Sequence, residues 1–201
     1  METYSKTAII KKIQDSPLLL VTLNSLHQLT GIQSALTLKR LAQDLVTGNI
    51  LNRLERNKYI INDGRMFDFT IANLLYSPSY VSFETALNHY GILSQFPYET
   101  TSATPKKSKQ KIINQKAYSF THLKKTLFWG YVKQDNYLIA EPEKALLDQL
   151  YLYSKGLKSI SLDEYDYARL DQTKLFRLAD YFPQSSSWIT LISKLKKFLS
   201  K

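Results

Sequence analysis

The sequence predicts an α+β chain in two parts: a winged helix-turn-helix domain over residues 1–65, then an α+β domain over residues 66–201 with an antiparallel sheet and flanking helices. Three observations predict it. Three short amphipathic segments joined by tight turns precede two β-prone runs, charged residues thin out abruptly from Met66, and four β-prone segments lie between residues 98 and 140 before helical periodicity returns. At 201 residues and 44% apolar content, the chain can supply two small cores.

In order along the first part, Ser5 to Gln14 places Ala8, Ile9, Ile10 and Ile13 on one helical stripe with Lys6, Lys11 and Lys12 outside it. Asp15-Ser16-Pro17 ends that helix. After the apolar run Leu18 to Val21, Thr22 is an N-cap for a helix carrying Leu23, Leu26 and Leu29, and Gly31 closes it. Ser34 caps a third helix that turns Leu38, Leu41, Ala42 and Leu45 inward and ends at Gly48. Two helices joined by a tight glycine turn form the helix-turn-helix pattern. The runs Ile50 to Leu54 and Lys58 to Ile61 then read as a wing hairpin, and Asn62-Asp63-Gly64 turns the chain.

In the second part, Ser77-Pro78-Ser79 breaks a preceding helix. Ser82 caps the next, which buries Phe83, Ala86, Leu87 and Tyr90 and stops at Gly91. Tyr98–Thr104, Lys111–Phe120, Leu127–Lys133 and Tyr137–Ala140 are the expected strands. Glu141-Pro142-Glu143 opens a helix with proline at its first turn and acids at its positive end, burying Ala145, Leu146, Leu147 and Leu150 and ending at Lys155-Gly156. Ser161 to Glu164 has capping-box spacing and predicts another helix start. The last helix, Ser187 to Leu199, buries Trp188, Ile192, Leu195 and Leu199.

The net charge of +10 is unevenly spread. Residues 1–65 hold nine Lys/Arg against five Asp/Glu, residues 66–105 hold three acids and no base, and residues 106–133 hold eight lysines and no acid. Such blocks predict basic patches on a folded surface, the electrostatic footprint of nucleic-acid binding. At the N-terminal end of the third helix, Gln33, Ser34 and Thr37 can exchange hydrogen bonds with base edges, and Lys39 and Arg40 can reach guanine or phosphate. Arg53, Arg56 and Lys58 in the wing suit backbone phosphates or the minor groove. Lys106, Lys107, Lys109 and Lys111, expected on a hairpin connection, and Lys124 and Lys125 beyond the next strand are a second candidate nucleic-acid surface; a solubility patch is the other reading of them.

Signatures of catalysis are sparse. His27, His89 and His122 lie far apart and read as structural, cysteine is absent, and no phosphate-loop, G-x-S-x-G or H-E-x-x-H motif occurs. The expectation is a non-enzyme with no cofactor, metal or catalytic residue. No apolar run reaches the roughly 20 residues of a membrane span, and the polar start lacks a signal-peptide core, so a cytoplasmic protein is expected. Two alternatives stay open on the residues: a protein-interaction module whose aromatic C-terminal part grips a partner, and a divalent-metal nuclease built on Glu141 and Glu143 beside Lys144.

The chain also resembles the AbiEi antitoxins, the regulator halves of bacterial type IV toxin-antitoxin pairs in abortive phage infection. The resemblance spans nearly the whole chain. It rests on Gly48-Asn49-Ile50-Leu51-Asn52-Arg53-Leu54, on Tyr80 to Gly91 (YVSFETALNHYG), and above all on Phe128-Trp129-Gly130-Tyr131 with Ile139 to Asp148 (IAEPEKALLD). It implies a repressor that binds inverted repeats in double-stranded operator DNA as two copies, and a C-terminal domain that neutralises a nucleotidyltransferase toxin without a stable complex. It offers no catalytic residue. The wing here is short and charged where the family is often glycine-rich.

Overall fold

The computed structural model describes residues 5–62 and 67–200. Among them are eight α-helices and two sheets, an α+β arrangement, and the chain divides into two compact units, Met1–Leu75 and Tyr76–Lys201. The boundary expected from sequence falls earlier, at 65/66. Both it and the Asp63-Gly64 part of the expected turn lie outside the described residues.

The first unit runs α1 (Lys6–Gln14), β1 (Val21–Thr22), α2 (Leu23–Thr30), α3 (Ala35–Thr47), β2 (Leu51–Glu55), β3 (Lys58–Ile61) and α4 (Asp68–Leu75). The strands form an antiparallel sheet in the order β1-β3-β2. Its core joins Ile9 and Ile13 of α1, Leu26 of α2, Leu38, Ala42 and Leu45 of α3, and Val21, Leu51, Tyr59 and Ile61 of the sheet. Ala8, expected on the inner stripe, is exposed because Ile9 and Ile13, four apart, fill the contact without it.

Local chemistry sets the helix ends. The Thr22 hydroxyl accepts the Ser25 backbone N–H at 3.1 Å while the Ser25 hydroxyl accepts that of Thr22 at 3.2 Å, so two otherwise unpaired donors are satisfied together. Gly31 follows α2 in the left-handed region at φ 72°, which a Cβ would disfavour, and Ser34 caps α3 by accepting the Thr37 N–H at 3.3 Å. Thr22→Ala is expected to lower the unfolding free energy by about 1 kcal/mol. A urea midpoint equal to the parent's would show that the cap contributes nothing. In β2, Leu51 and Leu54 are both buried although three residues apart. The register shift between Arg53 and Glu55 makes this possible, because a bulge resets the alternation and leaves Arg53 outward.

The second unit contains β4 (Tyr80–Val81), α5 (Phe83–His89), β5 (Glu99–Thr104), β6 (Lys109–Ile113), β7 (Lys116–His122), β8 (Tyr131–Gln134), β9 (Tyr137–Ala140), α6 (Pro142–Ser154), α7 (Gln172–Ala179) and α8 (Ser186–Leu199). The strand order is β6-β7-β5-β4-β9-β8. The sheet is mixed, not antiparallel as expected: β4 pairs with β9, and β5 with β7, in parallel. The cause is topological. The two-residue β4 inserts at the centre, and the chain leaving β5 passes beyond the position of β7 to lay down β6 at the edge before returning.

Other local expectations change for identifiable reasons. Lys111–Phe120 is not one strand but parts of β6 and β7, folded at Asn114-Gln115, both at positive φ. Gly130, at φ 71°, delays β8 to Tyr131, and Lys125–Leu127 is a 3-10 turn. Ser161 starts only a 3-10 turn, Leu162–Glu164, because its hydroxyl bonds the Asp163 carboxylate instead of capping; the α-helix begins at Gln172, where Asp171 accepts the Lys174 N–H at 2.9 Å. On α8, Leu191 takes the buried place expected for Ile192, and Leu199 is half-buried. Helix α6 starts and stops where expected and is buried from Glu143 to Leu152 without a solvent face.

Candidate nucleic-acid interface

Helix α3 presents the expected polar edge. Gln33, Ser34, Thr37, Lys39 and Arg40 are all exposed, while Leu38, Ala42 and Leu45 pack behind them. The approach to this helix is braced. In the turn Gly31–Ser34, the Ile32 carbonyl accepts from His27 Nδ1 at 2.9 Å, the Ile32 N–H bonds the Thr30 hydroxyl at 3.3 Å, and that hydroxyl donates to Leu26 O at 2.6 Å. His27 is thereby a turn-holding residue, as read from sequence. Ser34 is committed to its cap, which leaves its hydroxyl hydrogen and one lone pair for a ligand.

At about 100° per residue, Arg40 lies near the middle of the exposed face, with Leu36 and Gln43 beside it, whereas Thr37 and Lys39 fall on opposite flanks. Leu36 is 59% exposed. Sequence reasoning passed over Leu36 and Gln43. The signal was available, because both fall opposite Leu38, Ala42 and Leu45 on the helical wheel. An exposed apolar side chain at the start of such a helix is suited to a thymine methyl group.

In the hairpin, Arg53 on β2 and Arg56 in the two-residue turn are exposed. Asn57 completes that turn at φ 59°, a conformation its short amide side chain tolerates. Lys58 differs from expectation: it is half-buried, and its Nζ lies 3.2 Å from Glu55 Oε2 across the turn, so its charge is already matched within the hairpin.

In the second unit, Lys106 and Lys107 are not on a hairpin but on the crossover between β5 and β6, while Lys109 and Lys111 are on β6 itself. The crossover is pinned: Tyr76 donates to Lys107 O at 3.1 Å, His122 Nδ1 donates to Lys106 O at 2.9 Å, and the His122 N–H bonds the Ser108 hydroxyl at 2.9 Å. The ammonium groups of Lys106, Lys109 and Lys111 lie 5.5, 5.8 and 5.6 Å from the centre of the Tyr76 ring. Three cations thus gather around one aromatic ring. Lys124 and Lys125 are exposed after β7.

Glu141 and Glu143 behave as structural groups. Lys174 Nζ sits 3.1 Å from Glu141 Oε1 and 2.9 Å from Glu143 Oε2, and Glu143 Oε1 accepts the Asp171 N–H at 3.1 Å. The pair therefore fastens the start of α7 to that of α6. Among the described residues, no group of three or more His, Cys, Asp or Glu is placed to hold a metal ion.

Sequence reasoning missed the most unusual cluster. Lys144 and Asp148, one turn apart on α6, form an ion pair with both side chains fully buried. Lys144 Nζ also donates to the Tyr80 hydroxyl at 2.9 Å; that hydroxyl and the Ser82 hydroxyl each donate to Asp148 Oδ2 at 2.9 Å. Ser82 was expected to cap α5, but its side chain is taken by Asp148 instead. Trp129, Phe182 and Tyr80 ring the ammonium at 5.0, 5.3 and 5.4 Å from their centres. A Cβ on Gly130 would come within 2.9 Å of Lys144 Cγ, so the loop can pass only as glycine. Burial pushes Asp148 above its ordinary pKa and Lys144 below, against their mutual attraction, and burial beside the carboxylate pushes Tyr80 well up. Trp129, Gly130, Lys144 and Asp148 build this cage together with Tyr80, Ser82 and Phe182.

Among the described residues no helix is long and apolar enough to cross a membrane. No family model matches the chain, and no curated protein matches it.

Proposed function

We propose that this chain is a DNA-binding regulator of the antitoxin kind, whose first unit is a winged helix-turn-helix with α3 as recognition helix and the β2–β3 hairpin as wing. The observation that carries the reading is the exposed polar and cationic edge of α3, with its leucines packed behind it on a braced turn. Arg40, Thr37, Gln33 and Lys39 contact base edges or nearby phosphates, Arg53 and Arg56 hold the backbone, and Lys58 contributes less because Glu55 already neutralises it. The lysines around Tyr76 supply a further phosphate-binding surface. Autorepression through inverted repeats, and neutralisation of a nucleotidyltransferase toxin through the second unit without a stable complex, follow from the resemblance to the AbiEi antitoxins.

The test is a mobility-shift titration on DNA upstream of the chain's own gene at several salt concentrations. Neutralising on the order of 6 phosphates gives a log-log slope of about −5. Affinity that does not change with salt would remove the electrostatic basis of the reading.

A further inference from the structure

Two side chains at the middle of the outer side of α3 are uncommitted. Arg40 makes no side-chain hydrogen bond or ion pair with any described residue, so all its donors face water. Leu36, 59% exposed, stands apart from the apolar core that Leu38, Ala42 and Leu45 join. At about 100° per residue, Leu36 and Arg40 both fall within roughly 30° of the line opposite that buried stripe. A duplex laid against this side meets them first, whereas Thr37 and Lys39, on the flanks, come nearer the groove walls.

A lone exposed leucine is ordinary on a protein surface. Its place is what singles Leu36 out: it sits one turn before an uncommitted arginine, in a first turn that holds no acid to repel a phosphate strand. Asp44, the acid of this helix, lies one turn beyond Arg40, away from Leu36.

In the major groove the C5 methyl of thymine is the apolar feature of a base edge, and guanine O6 and N7 accept together from one guanidinium. Side chains four apart on a helix have Cβ atoms about 5–6 Å from each other. That span matches one or two base-pair steps of about 3.4 Å.

We propose that Leu36 and Arg40 together read a thymine and a guanine within about two base pairs of each other, Leu36 packing on the thymine methyl and Arg40 donating to guanine O6 and N7. This rests on the DNA-binding reading and adds the two bases that are recognised.

The test uses the upstream duplex copied with dUTP for dTTP, which deletes the methyl groups, or with 7-deaza-dGTP for dGTP, which deletes N7. Mobility shifts at fixed salt compare the parent, Leu36→Ala and Arg40→Ala. The parent should bind the uracil duplex at least about fourfold more weakly, the worth of one buried methyl, and the 7-deaza duplex at least about fivefold more weakly. Leu36→Ala should bind thymine and uracil duplexes alike and still lose affinity on the 7-deaza exchange; Arg40→Ala should do the reverse. Both side chains are exposed, so neither change touches the core. Single-base exchanges should then place the two sensitive positions within about two base pairs. Equal binding of the thymine and uracil duplexes by the parent, penalties undiminished in the variants, or sensitive bases further apart would overturn the proposal and leave DNA binding standing. A parent that shifts none of the duplexes would remove both.

Discussion

Asp148→Ala is expected to lower the unfolding free energy by about 3–5 kcal/mol, the largest effect of any single substitution considered for this chain. The change leaves Lys144 in a fully buried site ringed by three aromatic side chains, and it strips the Tyr80 and Ser82 hydroxyls of their shared acceptor. A cation without its counter-charge must then either stay charged in a poor solvent or give up its proton, and both routes cost free energy. The double change Lys144→Met with Asp148→Leu removes both charges at similar volume and is expected to recover the part of the loss that comes from the unpaired cation, while the Tyr80 and Ser82 hydroxyls stay without their acceptor. The pKa directions support this: burial raises Asp148 and lowers Lys144, so at neutral pH the charged forms are disfavoured by folding. The Asp148 contribution to stability is fully present below its unfolded pKa and is lost as pH rises through the higher folded value. The Lys144 contribution is present above its unfolded pKa and is lost as pH falls through the lower folded value. Equilibrium unfolding in guanidinium chloride measures all three proteins. A single-substitution loss below about 1 kcal/mol would show that the cage is open to water.

The second large effect concerns DNA. Arg40→Ala together with Thr37→Ala is expected to weaken binding to upstream DNA between about 5- and 150-fold at fixed salt, equivalent to about 1–3 kcal/mol for a lost base contact. The salt slope separates two roles for Arg40. Contact with a base edge leaves the slope nearly unchanged and relaxes preference for the cognate sequence; contact with a phosphate lowers affinity for all sequences and reduces the slope by about one. Affinity within twofold of the parent would end the assignment of α3 as the reading helix, because Arg40 lies near the centre of its exposed face.

The first unit was legible wherever order is decided by residues close in sequence. Thr22, Gly31 and Ser34 announce helix ends because a cap or a left-handed turn is a matter of three or four residues, and the stripe Leu38, Ala42, Leu45 announces its own inner face. The second unit resisted where distant partners decide. Two residues of β4 are too few to show alternation, yet they sit mid-sheet and pair in parallel with β9, while the crossover to β6 makes β5 and β7 parallel. Ser82 and Ser161 each stand where a cap should, but their hydroxyls are taken by carboxylates at Asp148 and Asp163. Outside the family resemblance, Lys144 entered the sequence reading only beside Glu141 and Glu143 in the nuclease alternative, and Asp148 had no role in it. The inward assignment of Ala145, Leu146 and Leu147, three neighbours that together wrap much of a turn, already left little room for an outer face. Along α3 and the β2–β3 hairpin, residue types were readable but their engagement was not: Lys58 could be seen to match Glu55 only once the hairpin register was known.

Strand β6 lies at the end of the six-stranded sheet, carrying Lys109 and Lys111 on one side of its pleat and Ile112, 70% exposed, on the other. A terminal strand with an apolar residue facing outward can template the addition of a strand from another molecule, and lysines along it oppose such stacking by mutual repulsion. Neutralising these lysines to probe phosphate contact would also remove a guard against aggregation. Sedimentation of the variants belongs beside any binding curve, so that aggregation is not mistaken for loss of affinity.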